Sequence, residues 1–379
     1  LAADLKNAGI EVMTGSHSRE QFSGASLVIP SPGMPLLKLL EIMGEAAKGP
    51  DAPEIMAETE FAYMHLDGEG IAAVTGTSGK TTTVSLIAAM LREGGKKVFL
   101  GGNIGTPLSE YILGGEKADV VVLELSSFQL QACTHFHAHV AAILNITPNH
   151  LDYHKDMAEY VQAKKNVFAH QDGSGKVVLN YDNDITHAFA ADAPGAVAFF
   201  SRQAKLPHGV YLEDGTICRD GTPIMDAADI RIPGVHNIEN YMAAACAVEG
   251  LATDEDIDAV ARSFAGVEHR IEFVREKDGV KYYNDSIASS PSRTIAGLHS
   301  FHQKLVLIAG GYDKKIPFDA LGPEICGHVR LLILCGATAE KIEAAVCAAP
   351  EYQPGQPKIL HAATLAEAVQ LAQAHSVPG

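Results

Sequence analysis

The stretch Ile71-Ala-Ala-Val-Thr-Gly-Thr-Ser-Gly-Lys-Thr-Thr-Thr83 decides the fold. It opens on four apolar residues, passes through small and glycine residues, and leads into a segment with Val84, Ile87 and Leu91 at helical spacing. The order predicts a strand, a tight loop and a helix. Glycines at 76 and 79 let backbone N–H groups turn inward around a phosphate, and the helix amino terminus adds partial positive charge. Lys80 and Thr81 supply the ammonium and hydroxyl that phosphate and Mg²⁺ require. The general G-x-x-x-x-G-K-[ST] pattern would place its first glycine on Val74, so this is a tighter G-x-x-G-K-T version.

Working outward, apolar β-prone runs at 71–74, 97–100, 119–125, 140–145, 176–179, 304–309 and 330–334 alternate with helical patterns. Continuous apolar strands separated by helices indicate parallel sheets covered on both faces, an α/β architecture. Residues 26–29 are a further strand candidate, followed by the Pro30-Ser31-Pro32-Gly33 turn. Asp214-Gly215 and Asp220-Gly221 are hairpin signals between short β runs. The expected division is 1–62 as the remnant of an amino-terminal domain, 63–263 as a second, phosphate-loop unit and 264–379 as a third domain cut at its end. The chain opens on Leu1 within a helix-like pattern and stops at Val377-Pro378-Gly379, so further residues are expected on both sides.

The 379 residues suffice for two or three domains with cores of their own, since a domain holds roughly 100 to 200 residues. With 29 Lys+Arg against 46 Asp+Glu, the net charge of −17 repels nucleic-acid phosphates and anionic membranes, so phosphate chemistry must rest on local loops. Binding of nucleic acid and membrane insertion are not expected, the latter because no run of about 18 apolar residues occurs. Six scattered cysteines without a C-x-x-C pair suit a reducing cytoplasm.

Glu124 ends the apolar run 120–123, at the sheet edge where doubly wound folds keep their ligands, and a buried carboxylate there calls for a cation or hydrogen-bonding partners; the alternative is a Glu reaching solvent at the strand end. The next strand ends in Asn145-Ile-Thr-Pro-Asn-His150, which lets His150 reach the same edge or simply lie at the surface. In the helical pattern 157–168, Met157, Val161 and Phe168 mark an apolar side that Lys164 shares and Lys165 does not. Burial would lower the pKa of Lys164, and a neutral amine can take up CO₂ to give a carbamate, an oxygen ligand suited to Mg²⁺; the alternative is an amine snorkelling to solvent. His135, His137 and His139 alternate and would share one face of an extended strand, where a polar edge is preferred over a metal site.

Several segments together resemble the Mur ligases: 75–82, Gly101-Gly-Asn-Ile-Gly105, Leu123-Glu-Leu-Ser-Ser-Phe-Gln129, Leu144-Asn-Ile-Thr-Pro-Asn-His-Leu-Asp152, Gly234-Val-His-Asn-Ile-Glu-Asn240, His269-Arg270 and Asn284-Asp285-Ser286. The resemblance runs from about residue 31 to the end and implies three domains: one for a uridine nucleotide, a central ATPase and a Rossmann-like third. It implies that Gly76, Thr77, Ser78, Gly79, Lys80, Thr81 and Thr82 bind ATP, with Asn237, Asn240, Arg270 and Asp285 completing the nucleotide site. Thr81 and Glu124 would hold a first Mg²⁺, His150 and a carbamylated Lys164 a second, and Lys80, Glu124, His150 and Lys164 would be the catalytic set. Ser31, Gly33, Asn103, Ser126, Gln129, His269 and Lys314 would face the substrates. Many relatives carry a lysine where this chain has Ile287.

The implied activity is an ATP-dependent amide ligation in peptidoglycan precursor synthesis, by a cytoplasmic monomer acting on UDP-N-acetylmuramoyl-L-alanine, D-glutamate and ATP. The Leu-Glu-Leu-Ser-Ser-Phe-Gln stretch points to D-glutamate within the family. A ligase adding another amino acid, or extending folate, would share the loop and metal ligands. A phosphate-loop NTPase acting as a switch is the more distant alternative, disfavoured by the Asn237/Asn240 and His269/Arg270 pairs.

Overall fold

A computed structural model describes residues 2–150, 153–313 and 316–378, and the chain folds as two compact units, Leu1–Lys80 with Lys96–Ala198, and Thr81–Gly95 with Phe199–Gly379.

The first unit is built on five parallel strands in the order Lys176–Asn180, Val140–Ile143, Gly70–Thr75, Val120–Glu124, Val98–Gly102. The strand that feeds the glycine loop is central, and its successors in the chain lie on both sides of it. Such a reversal opens a crevice at the carboxyl ends of the strands, and the loop lies there. Val121, Val122, Leu123, Ala141, Ala142 and Ile143 are fully enclosed, which accounts for their unbroken apolar runs. Near the amino terminus Leu27–Val28 pairs in parallel with Glu54–Ile55, so the expected strand at 26–29 is present but short.

The histidine-alternating segment is not a strand. The helix Glu58–Tyr63 sends the buried Glu60 carboxylate across to accept the backbone N–H of Thr134 at 2.8 Å and that of His135. With those donors taken, Thr134 and His135 have no N–H to offer a ladder. The His137 and His139 rings still stack at 5.9 Å, and His139 Nδ1 accepts the Ile71 N–H at 3.1 Å.

In the second unit the strands Val210–Glu213, Thr216–Arg219 and Thr222–Asp226 form an antiparallel meander. Its turns are at the expected positions: Asp214 and Gly215 have φ of 48° and 84°, Asp220 and Gly221 of 49° and 85°, the left-handed values a two-residue hairpin demands. The helix Val235–Val248 is enclosed along most of its length. A two-stranded ribbon, Glu272–Lys277 with Val280–Asn284, precedes a three-stranded parallel sheet of Leu305–Gly310, Val329–Cys335 and Lys358–His361. Side chains of its central strand alternate between two cores. Leu332 and Leu334 pack with Leu298, Ile325 and Val346, whereas Leu331 and Ile333 pack with Ala368 and Ala372. Among the described residues, no helix is long and apolar enough to cross a membrane.

Candidate active site

The strand Gly70–Thr75 runs through the glycine loop into the helix Lys80–Glu93, in which Val84, Ile87 and Leu91 are fully buried. Gly76 has φ of 151°, and a Cβ there would come within 3.1 Å of Leu144 Cβ. The loop is fastened to the end of the neighbouring strand by Asn145. Its carbonyl accepts the Thr77 N–H at 2.9 Å, its Oδ1 accepts the Ser78 N–H at 2.9 Å, and its Nδ2 donates to Ser78 O at 3.2 Å. Two loop N–H groups are therefore engaged by Asn145, which shapes the loop beyond what its glycines impose.

Two lysine amines meet at this loop. Lys80 Nζ donates to the carbonyls of Gly76 at 3.1 Å and Thr77 at 3.4 Å. Lys164, from the helix Met157–Ala169, donates to Gly76 O at 2.9 Å and Thr75 Oγ1 at 3.3 Å, and its Nζ lies 4.8 Å from the centre of the Tyr160 ring. Lys164 is only 2% exposed. Burial, reinforced by the Lys80 charge and opposed by Glu124, lowers its pKa to about 6. The apolar stripe that predicted this holds, with a shift of register: the buried positions are Tyr160, Ala163, Lys164, Val167 and Phe168, while Met157 and Val161 are half-buried. Lys165, off the stripe, pairs with Asp192 at 2.6 Å.

Glu124 ends its strand as expected, buried, with Oε1 accepting a hydrogen bond from Asn103 Nδ2 at 2.8 Å. Gly102 makes that approach possible. Its φ is 100°, and a Cβ would lie 2.4 Å from Glu124 O. Asn103, expected to face substrate, is thereby a partner of the carboxylate. Glu124 is a hard oxygen donor at the crevice, which fits Mg²⁺.

Ser126 caps the helix Ser127–Gln131 in a reciprocal box with Gln129, whose Nε2 donates to Thr59 Oγ1 at 3.2 Å. Gln129 also lines a cavity with Ser31, Glu58, Phe128 and Tyr153. Gly33 lies in the exposed turn closed by the Met34 N–H to Ser31 O bond of 2.8 Å. His150 is exposed with φ of 55°, its ring 4.9 Å from Phe128 and 6.5 Å from Tyr160, so it and Lys164 both border Tyr160.

A second cluster belongs to the other unit. Thr82, His236, Asn237, Val267, Arg270 and Ile271 line one cavity. Gly234 caps the helix, and Asn237 within its first turn donates Nδ2 to Pro233 O at 2.6 Å. Asn240 donates to Asn237 Oδ1 at 3.0 Å and accepts from Thr83 Oγ1 at 3.3 Å, and so holds Asn237 in place. Arg270 sits between two residues in left-handed conformation, His269 with φ of 64° and Ile271 with φ of 43°. That backbone is costly for a β-branched residue, and Asp285 helps retain it by accepting the Ile271 N–H at 3.1 Å. Burial raises the pKa of Asp285 against the pull of the Ile271 N–H, Arg270 and Arg293. Burial and then the Arg270 charge lower that of His236. His269 is exposed and its Nδ1 meets Asn284 Nδ2 at 2.8 Å. Ile287 is exposed and donates its N–H to His269 O at 3.1 Å. Lys314 lies outside the described residues.

Asn145, Tyr160 and His236 have no role in the sequence reading. Tyr160 had a signal available, being four residues before Lys164 on the same helix face. Asn145 was visible as a polar strand end, but its grip on the loop depends on strand order.

Residues 74–248 match the Mur ligase middle domain, and 269–379 match the Mur ligase, glutamate ligase domain. The chain is 50% identical over 343 residues to the UDP-N-acetylmuramoylalanine--D-glutamate ligase of Acetivibrio thermocellus, covering 89% of this chain and 72% of that one. It is 44% identical over 384 residues to the protein of the same name from Ruminiclostridium cellulolyticum, covering 99% and 81%. The crystal structure of MurF from Acinetobacter baumannii shares the fold, with a TM-score of 0.62 at 18% identity over 84% of this chain and 74% of that one. Two matching domains and relatives of this similarity establish that the chain belongs to the Mur ligase family of ATP-dependent amide ligases.

Proposed function

We propose that the protein joins D-glutamate to UDP-N-acetylmuramoyl-L-alanine at the expense of ATP, a step in peptidoglycan precursor synthesis. The observation that carries the reading is the convergence of Lys80 and the buried Lys164 on one loop carbonyl, with the Glu124 charge acting on Lys164. The shared name of the two curated relatives supports D-glutamate as the amine.

A carboxylate does not accept an amine directly. An oxygen of the alanine carboxylate attacks the γ-phosphorus, ADP departs, and the glutamate nitrogen then adds to the acyl carbonyl and expels phosphate. Lys80 is assigned to the phosphate oxygens, where its charge offsets the negative charge gathered on them. Mg²⁺, when bound, would supply further neutralisation; Thr81 and Glu124 are the proposed ligands of one ion, and His150 and a carbamylated Lys164 those of a second. The lowered pKa of Lys164 supports a carbamate, because its neutral nitrogen can bond to the carbon of CO₂ and release a proton, replacing a donor with an oxygen ligand. Asn103 orients Glu124.

Asn237 and Arg270, with Thr82 at their cavity, are assigned to the adenine side of ATP, and Asn240 and Asp285 hold those two in position. Ser31 and Gln129, which line one cavity, are assigned to the uridine-nucleotide substrate, with Gly33 at the adjoining turn and Ser126 fixing Gln129. His269 and Lys314 are assigned to substrate on the strength of the family resemblance. We further read 1–62, 63–263 and 264–379 as uridine-substrate, ATP and amino-acid domains of a cytoplasmic monomer.

The test is ADP release by the purified protein with ATP, UDP-N-acetylmuramoyl-L-alanine and D-glutamate, each omitted in turn. Release requiring all three, with an amide product, is expected. Steady release without either condensation partner, or equal use of other amino acids, would overturn the assignment.

A further inference from the structure

Three side chains that the ligation does not use converge in the second unit. His299 directly follows the helix Pro291–Leu298, and Glu324 and His328 lie one turn apart on the helix Leu321–His328. His299 Nε2 is 2.6 Å from Glu324 Oε2, and His328 Nε2 is 3.6 Å from the same oxygen. The two imidazole rings are 4.9 Å apart. Every pair of the three ligand atoms lies within 4.8 Å.

From this juxtaposition we propose a transition-metal site, with Zn²⁺ as its natural occupant, formed by His299, Glu324 and His328. Two imidazole nitrogens and one carboxylate oxygen are the donor set of an open tetrahedral zinc centre, with water in the fourth place. Ligand atoms about 2.0–2.1 Å from zinc in a tetrahedron are roughly 3.3 Å apart. The present spacings bracket that value, and the partly exposed side chains can reach it by rotation. Both Nε2 atoms already point at the carboxylate. Binding requires that both Nε2 atoms be free of a proton, with each ring carrying its proton on Nδ1. Mg²⁺ is a poor candidate, because it favours octahedral oxygen ligands. Glu324 and His328 are four residues apart on one helix, while His299 comes from another. A bound ion would therefore fasten the end of the Pro291–Leu298 helix to its neighbour.

The experiment is calorimetric titration of ZnCl₂ into the protein with Mg²⁺ in excess, comparing the wild type with the double variant His299→Gln/His328→Gln. The wild type is expected to bind one Zn²⁺ more than the double variant. Glu324→Gln should weaken that event by at least the roughly 10- to 100-fold that follows loss of a supporting partner. In parallel, Co²⁺ added to the wild type should give the visible absorption of a tetrahedral centre, a readout independent of whether the variants fold. Identical zinc isotherms for wild type and a folded double variant, or only octahedral Co²⁺ spectra, would overturn the proposal.

Discussion

Lys80 and Lys164 donate to the same oxygen, the carbonyl of Gly76, at 3.1 Å and 2.9 Å. Burial, with the nearby Lys80 charge adding to it, lowers the pKa of Lys164 to about 6. At neutral pH most of Lys164 is then a neutral amine able to take up CO₂.

Lys164→Ala is expected to lower the ligation rate by roughly 100- to 1,000-fold, in the range of losing one preorganised electrostatic group. Bicarbonate should not restore it, whereas a short-chain carboxylic acid occupying the vacated space should restore part of it. Steady-state rates with and without each additive measure this. Full activity without additives would refute the carbamate.

The same lysine gives stability a pH dependence of definite sign. Its folded pKa of about 6 lies below the ordinary 10.5, so between those values the unfolded chain holds the proton more tightly. The contribution of Lys164 therefore makes stability rise with pH across that window. In CO₂-free buffer, where the amine is unmodified, Lys164→Met removes this component, and the stability of the variant should rise less with pH across that window than that of the wild type. Urea unfolding at several pH values gives both curves; parallel curves would contradict the lowered pKa.

Much of this was legible in the chain. The loop, the carboxylate at the strand end and the buried lysine each carry a local signal, because a strand edge or a helical stripe fixes a side chain's surroundings within a few residues. The alternating histidines at 135, 137 and 139 looked like a strand and are a loop, since Glu60, far away in sequence, captures the N–H groups of Thr134 and His135. The strain around Arg270 was equally invisible: nothing in His-Arg-Ile announces two left-handed residues, which are held by Asp285 and by the contact of Ile287 with His269 O.

Gly102→Ala tests whether the backbone seats Glu124. With φ of 100° and a Cβ 2.4 Å from Glu124 O, the substitution should cost about 1–3 kcal/mol and lower activity by displacing the carboxylate. Gly114→Ala, where a Cβ meets nothing within 4 Å, should stay within about 0.5 kcal/mol. Chemical denaturation of both variants decides it, and equal costs would contradict the positioning role.

Arg270→Ala should weaken ATP binding roughly tenfold, about 1.4 kcal/mol. It should also raise the pKa of His236, because the Arg270 charge is one of the two causes holding it down, burial being the larger. Calorimetry reads the first effect and proton NMR titration of the His236 ring the second. An unmoved His236 would place Arg270 away from the cavity.

The central claim is that a substrate carboxylate oxygen attacks the γ-phosphorus of ATP beside Lys80. The most direct measurement uses UDP-N-acetylmuramoyl-L-alanine labelled with ¹⁸O in the alanine carboxylate and mass analysis of the phosphate released during ligation. One labelled oxygen in that phosphate is the predicted result; unlabelled phosphate, with the amide still formed, would contradict it.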